Sequence, residues 1–391
     1  MNSVHFLTVL LVAGVLTAHA EFTAPIPALL TTAQGASVTT AETWEKTRRP
    51  ELFDCFQQHV YGRTPIGRPA GLRFESAEPD RIMMEGKALR KRINLVFQGP
   101  GGTGTIHVVA FIPTQQKPAP AFLLICNRPP EKNIDPDRRE RSPFWPAEEI
   151  VGRGYAAIAF WNGDVAPDKP NMHHTGAHGI FQPDVRQRQA DSWGTLGAWA
   201  WGASRIMDWI ESEPLLDAKH VAIIGHSRGG KTALWCGAND PRFALTISNN
   251  SGCGGAKLNR MNLPQSESIA IITERLGYWF CDTFKRYANN ENALPLDQHQ
   301  LLALMAPRLL YVASARGDAW AGPEGEFASC VLASPAWKLY GKQGLESTQF
   351  PALDTPYLKG SIGYHIRTGK HDLTLYDWTC YMDFTDRHGW R

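Results

Sequence analysis

The sequence predicts an α/β fold, a mostly parallel central sheet with helices on both faces and antiparallel strands toward the N-terminus. Three observations carry that expectation. Apolar runs alternate with helical patterns from Ala121 onward; one run ends in the G-x-S-x-G stretch Gly225–Gly229; and an aspartate and a histidine able to serve that serine follow it in the chain.

Met1–Ala20 carries the apolar run Phe6–Leu16 and then Ala18-His19-Ala20 before Glu21. That is the pattern of a secretory signal and its small-residue cleavage site, although the n-region leans on the α-amine and His5 in place of Lys or Arg. The run is short for a membrane span, and no later stretch reads as one. A single catalytic domain over residues 21–391 is therefore expected, secreted or periplasmic. The length is large for one domain, yet sheets of this type with insertions reach it. A hydrophobic content of 43% supports a sizeable core, and a net charge of +2 gives no support for a nucleic-acid partner.

Seven cysteines fall in a chain bound for a compartment where disulfides persist, and an odd count leaves at least one thiol unpaired. Cys126 and Cys236 sit in apolar strand and helix patterns and read as buried thiols. A bridge, where one forms, is expected between Cys253 and Cys281, both in connecting segments after the serine motif. No C-x-x-C or Cys/His cluster suggests a metal, and no cofactor is called for.

After an extended lead-in, residues 41–61 carry Trp44, Leu52, Phe53, Phe56 and Val60 at near-helical spacing interrupted by Pro50, which predicts two short helices ending at Gly62. Arg92–Phe97 and Thr105–Phe111 predict antiparallel strands joined by the turn Gly99-Pro100-Gly101-Gly102. Ala121–Ile125 and Ala156–Phe160 predict buried strands with a helix around Ala147–Val151 between them, a βαβ unit. The long segment from Trp161 to Asp191, rich in Pro, Gly, His and Asn, has no periodicity, and its place after a strand end predicts a substrate-facing insertion. Trp193–Ile210 predicts a helix with Leu196, Trp199, Ala203, Ile206, Met207 and Ile210 on one repeat. Beyond the serine motif, strands are expected at Phe243–Ser248 and Leu309–Ser314 and around Ile366. A long insertion runs to Asn292, and the last helix is expected near Asp377–His388.

The stretch Val221–Lys231 organises the chain. A β-branched run passes through Gly225-His226-Ser227-Arg228-Gly229 straight into a helix start, the strand, sharp turn and helix of a nucleophile elbow. Gly225 and Gly229 let strand and helix approach without a Cβ in the way, and the Ser227 hydroxyl stands free above the sheet. The N–H of Arg228 is then available to a tetrahedral oxyanion. An ordinary glycine-rich βα turn would contain the same letters; the flanking strand and helix favour the elbow.

A serine needs a base, and in α/β-hydrolases the order is Ser, then Asp or Glu, then His. Of the downstream histidines, His299 falls in an amphipathic helix, His365 inside a strand and His388 near the terminus. His371 falls in a loop between the last strand and the last helix, where the base belongs. Asp318 follows the strand Leu309–Ser314 by a short turn, which puts its carboxylate at the strand's C-terminal end; Glu324, Glu326 and Asp372 are its competitors.

With Ser227, Asp318 and His371 in place, the surrounding residues resemble the glucuronoyl esterases, carbohydrate esterases on the α/β-hydrolase fold, and their bacterial branch above all. The likeness rests on Gly225–Lys231, Ile247–Gly255, Trp279–Asp282, Asp318–Trp320 and Gly369–Asp372. It implies hydrolysis of the ester joining 4-O-methyl-glucuronic acid on xylan to lignin alcohols; given the charge and the lack of a spanning stretch, no nucleic-acid or membrane partner is expected, and a monomer is expected. It also implies that Arg228 supplements the oxyanion hole and that Lys231, Glu267 and Trp320 line the sugar site. Fungal members carry an acid in the segment before S-G-x-G-G, where this chain has Asn250, so the acidic role is expected to pass to Asp318. The fungal bridge beside the serine and histidine is absent, His226 and Asp372 standing at those positions. An acetyl-xylan esterase or general carboxylesterase on the same fold, or an inactive carbohydrate-binding homologue, is the alternative reading.

Overall fold

A computed structural model describes residues 21–22, 25–115 and 118–391, so the expected signal segment lies outside the described residues. One sheet contains β1 (Arg73–Ser76), β2 (Arg81–Met83), β3 (Ala88–Gly99), β4 (Gly102–Pro113), β5 (Ala119–Cys126), β6 (Ala156–Trp161), β7 (Leu216–His226), β8 (Leu245–Asn249), β9 (Leu309–Ala315) and β10 (Ile362–Arg367). Their spatial order is β10-β9-β8-β7-β5-β6-β4-β3-β1, with β2 paired to β3. Every pairing from β6 through β10 is parallel, whereas β4 meets β6 antiparallel. The hairpin β3–β4 closes at Gly99 opposite Gly102, as the turn residues predict.

Alternate side chains of each strand enter opposite faces, so the parallel strands are apolar throughout. Leu123, Ile125, Val221 and Ile223 pack on one face, and Phe122, Leu124, Ala222 and Ile224 on the other. The helices divide accordingly. Those labelled here are α1 (Ala147–Gly152), α2 (Thr195–Ile210), α3 (Arg228–Asn239), α4 (Pro323–Ala333) and α5 (Leu375–Arg387). The first face carries α2, α3 and α4; the second carries α1 and α5.

Two local expectations change, and one helix is fully enclosed. Residues 41–61 form one continuous helical stretch, because wide turns at Trp44–Arg48 and Gln57–Tyr61 absorb the break; the Arg49 N–H donates to Trp44 O, five residues back, just before Pro50 removes a donor. Helix α2 has no solvent face: every residue in it is buried. The 161–191 segment helps cover it, the Trp199 indole N–H donating to Ala166 O at 2.9 Å. Finally, the expected Cys253–Cys281 bridge is not formed, and all seven cysteines are free. Cys253 Sγ sits 3.4 Å from Asn259 Oδ1 and Cys281 Sγ 3.7 Å from Gln58 O. Burial pushes these thiols up, to about 12 and about 11, so they serve as small apolar core groups.

Candidate active site

The site is built at the carboxyl ends of the parallel strands, where such sheets present their ligands. Ser227 follows β7 directly and adopts φ 57°, ψ −124°, a conformation that strains any residue with a Cβ. The turn is tight enough that a Cβ on Gly225 would lie 2.0 Å from Gly229 O. At Gly229 the nearest atom would be 3.2 Å away, so the steric demand falls mainly on Gly225. The strain is held by backbone bonds, Ser227 N–H to Asn249 O at 2.8 Å and the N–H groups of Gly230 and Lys231 back to Ser227 O. The Ser227 hydroxyl does not cap α3 and lines a cavity instead.

Asp318 comes three residues after β9 and His371 four after β10. The structure joins them: His371 Nδ1 is 2.5 Å from Asp318 Oδ2. An Nδ1–H donated to the carboxylate leaves Nε2 as the basic nitrogen on the cavity side. Asp318 is buried at 4% exposure. Burial alone would push its carboxyl up, but the bond and charge of His371 and the amide of Asn250 outweigh that and hold it below its ordinary value. Asn250 Nδ2 donates to the same Oδ2 at 2.8 Å, so this amide orients the acid, not the imidazole. Among the competing carboxylates, Asp372 pairs with Arg128, and Glu326 is fully buried beneath the neighbouring loop.

Six of the residues singled out from sequence, Ser227, Arg228, Lys231, Glu267, Trp320 and His371, line one cavity of about 250 Å³. Asp318 stands behind His371. On the β8–β9 side, Lys231 Nζ donates to Cys253 O at 2.7 Å, to Glu267 Oε2 at 3.0 Å and to Ser251 O. Three acceptors around one ammonium leave it no spare donor, so a sugar hydroxyl must share a hydrogen there or bind Glu267. Trp320 is 41% exposed, and its indole N–H donates to Glu267 Oε1 at 3.2 Å.

Sequence reasoning missed Asp168. It lies in the 161–191 segment and takes a hydrogen bond from Arg228 Nη1 on one oxygen; its other oxygen accepts from Tyr278 OH at 2.8 Å and Trp279 Nε1 at 2.7 Å. The Arg228 guanidinium also lies 5.1 Å from the centre of the Trp279 ring. Only the segment's position at a strand end pointed there; nothing in the sequence distinguishes Asp168 from the segment's other acids. His226, beside the nucleophile, packs its ring 4.4 Å from that of His371 and bonds Asn249 Oδ1 at 2.6 Å. Burial, then the neighbouring His371, depresses it to about 3, so it stays neutral.

Known proteins resemble this chain in sequence and fold. A family model described as glucuronyl esterase of fungi matches residues 144–341. A carbohydrate esterase from an unknown prokaryotic organism is 35% identical, the alignment covering 94% of this chain and 90% of the relative. The chain belongs to the glucuronoyl esterase family. A 4-O-methyl-glucuronoyl methylesterase of Schizophyllum commune is 30% identical over 81% of this chain and 74% of its own length. The solved glucuronoyl esterase from Solibacter usitatus superposes with a TM-score of 0.84 at 36% identity, covering 93% of this chain and 98% of that one. Membership settles the fold as α/β-hydrolase and the chemistry class as carboxylic ester hydrolysis. The fungal family model ends at residue 341, before His371, so the geometry described above is what brings that histidine to Asp318.

Proposed function

We propose that the chain is a serine esterase that cleaves 4-O-methyl-glucuronoyl esters between glucuronoxylan and lignin alcohols. The observation that carries this is the placement of Ser227 and an Asp318-bonded His371 in the same cavity as the Lys231–Glu267–Trp320 wall. Ser227 Oγ attacks the uronoyl carbonyl while His371 Nε2 takes its proton, and Asp318 stabilises the imidazolium that forms. The negative charge developing on the carbonyl oxygen meets the Arg228 N–H at the start of α3 and the guanidinium held by Asp168. His371 returns the proton to the leaving alcohol, and water then repeats the sequence on the acyl-enzyme. Glu267 and Trp320 offer the uronate ring a carboxylate for its hydroxyls and an exposed aromatic face.

We take the acting unit to be a monomer with a single catalytic domain over residues 21–391, every group in this sequence of steps coming from one chain. Met1–Ala20 supports export to the periplasm or the medium, and among the described residues no helix is long and apolar enough to cross a membrane.

The test sets benzyl 4-O-methyl-glucuronate against p-nitrophenyl acetate in one preparation. Wild type is expected to favour the uronate, and Glu267→Gln and Trp320→Ala to lose about tenfold or more in kcat/KM on it while losing far less on the acetate. Preference for the acetate, or equal losses on both, would overturn the uronoyl reading.

A further inference from the structure

A second cavity, of about 490 Å³, lies toward the other end of α3 from the nucleophile and shares no residue with the Ser227 cavity. Arg228 opens that helix and Asn239 closes it, about 16 Å apart along the axis. From α2, Gly197, Ala200, Trp201, Ser204 and Arg205 line the cavity. Their three- and four-residue spacing puts them on one stripe of the helix, and the small members of that stripe leave the hollow. Phe53 from the helical stretch 41–61, Ile66 from the loop after it and Trp235 from α3 add apolar wall.

The side chain of Arg205 is only 7% exposed, yet its Nε and Nη1 are buried without a hydrogen-bond partner. Asp208 Oδ2 lies 3.0 Å from Nε without a hydrogen bond forming between them, and the guanidinium carbon stands 5.8 Å from the centre of the Trp201 ring. Burial outweighs the nearby carboxylates and holds this guanidinium below its ordinary value. Arg242, in the same wall, is spoken for: it donates to Asp208, Glu211, both oxygens of Asp240 and Ser204 O. The indole Nε1 of Trp235 is a further buried donor with no partner.

Buried donors that lack acceptors call for a ligand that brings oxygens, and the planar fork of a guanidinium matches a carboxylate. Arg205 and Arg242 are already balanced by Asp208 and Asp240, so one added negative charge is welcome and a second is repelled. The cavity is large enough to enclose a small organic molecule, and its rings suit a flat apolar body. We propose that this cavity is a second binding site, separate from ester hydrolysis, for a monoanionic aryl carboxylate. The carboxylate pairs with Arg205 and the rings lie among Phe53, Trp201 and Trp235.

The experiment titrates the full chain calorimetrically at neutral pH with 2-naphthoate, with 2-naphthamide, which has the same shape and no charge, and with acetate, which has the charge and no ring. Wild type is expected to bind 2-naphthoate with a Kd of about 0.1 mM and the other two at least about tenfold more weakly. Arg205→Met keeps the bulk of the stem and removes the charge, while Asp208 retains its bond to Arg242. The variant is expected to weaken 2-naphthoate by about tenfold or more and to leave kcat/KM on p-nitrophenyl acetate within about twofold of wild type. 2-Naphthoate is expected not to compete with that ester, which separates the site from the Ser227 cavity. The pattern across the three ligands is read on wild type and needs no variant to fold. No binding of 2-naphthoate, equal binding of the amide or of acetate, binding that survives Arg205→Met, or competition with the ester would each overturn the site, and none of these results bears on which ester the chain cleaves.

Discussion

Asp318 carries the electrostatics of the site, and its neighbourhood explains why an asparagine is tolerated at position 250. One oxygen of Asp318 receives both the imidazole of His371 and the amide of Asn250. The amide spends its donor on fixing the carboxylate and cannot itself offset an imidazolium charge. Asp318→Asn keeps the volume but removes the charge and invites the wrong imidazole tautomer. It is expected to lower kcat by about 10³- to 10⁴-fold with KM little changed. A loss within tenfold would show that another group supports His371.

The loop after β8 is the element that sets the site's shape, since it supplies Asn250 to the acid and the Ser251 and Cys253 carbonyls to Lys231. It is held from below by Glu326 in α4. One carboxylate oxygen of Glu326 accepts from Ser251 N–H at 2.8 Å and Gly252 N–H at 3.0 Å, and the other from Ser314 Oγ at 2.6 Å. Burial pushes this carboxyl up to about 7 from an ordinary 4.5, despite those donors. The folded chain thus holds the proton more tightly than the unfolded chain. Its contribution to stability is fully present below about pH 4.5 and is lost as pH rises through about 7. Glu326→Gln copies the neutral acid, with its oxygen toward the loop N–H groups and its amide N–H toward Ser314. Thermal unfolding across that window is expected to show wild type losing on the order of 3 kcal/mol relative to the variant. Parallel curves would mean that Glu326 does not titrate there.

Across the whole molecule, what was legible in the sequence was what depends on neighbours along the chain. The strands around Ala121, Ala156, Val221 and Leu309 announce themselves by apolar runs, the elbow by Gly225 and Ser227, and the base by the loop between the last strand and helix. What depends on distant segments was hidden. Pro50 promised a break that wide turns absorb, and the apolar repeat of α2 did not show that the 161–191 segment helps cover the helix. Asp168 meets Arg228 across 60 residues of chain, and Glu326 supports a loop 75 residues earlier. The cysteines likewise counted toward a bridge in sequence, while the fold leaves all seven thiols free and buries six of them.

All of these elements converge on one hydroxyl. The most direct test is turnover of benzyl 4-O-methyl-glucuronate by wild type and by Ser227→Ala, each checked for folding by its thermal transition. The account predicts release of benzyl alcohol by wild type and a fall of about 10⁵-fold or more in kcat for the variant. Undiminished release by Ser227→Ala, or none by wild type, would contradict it.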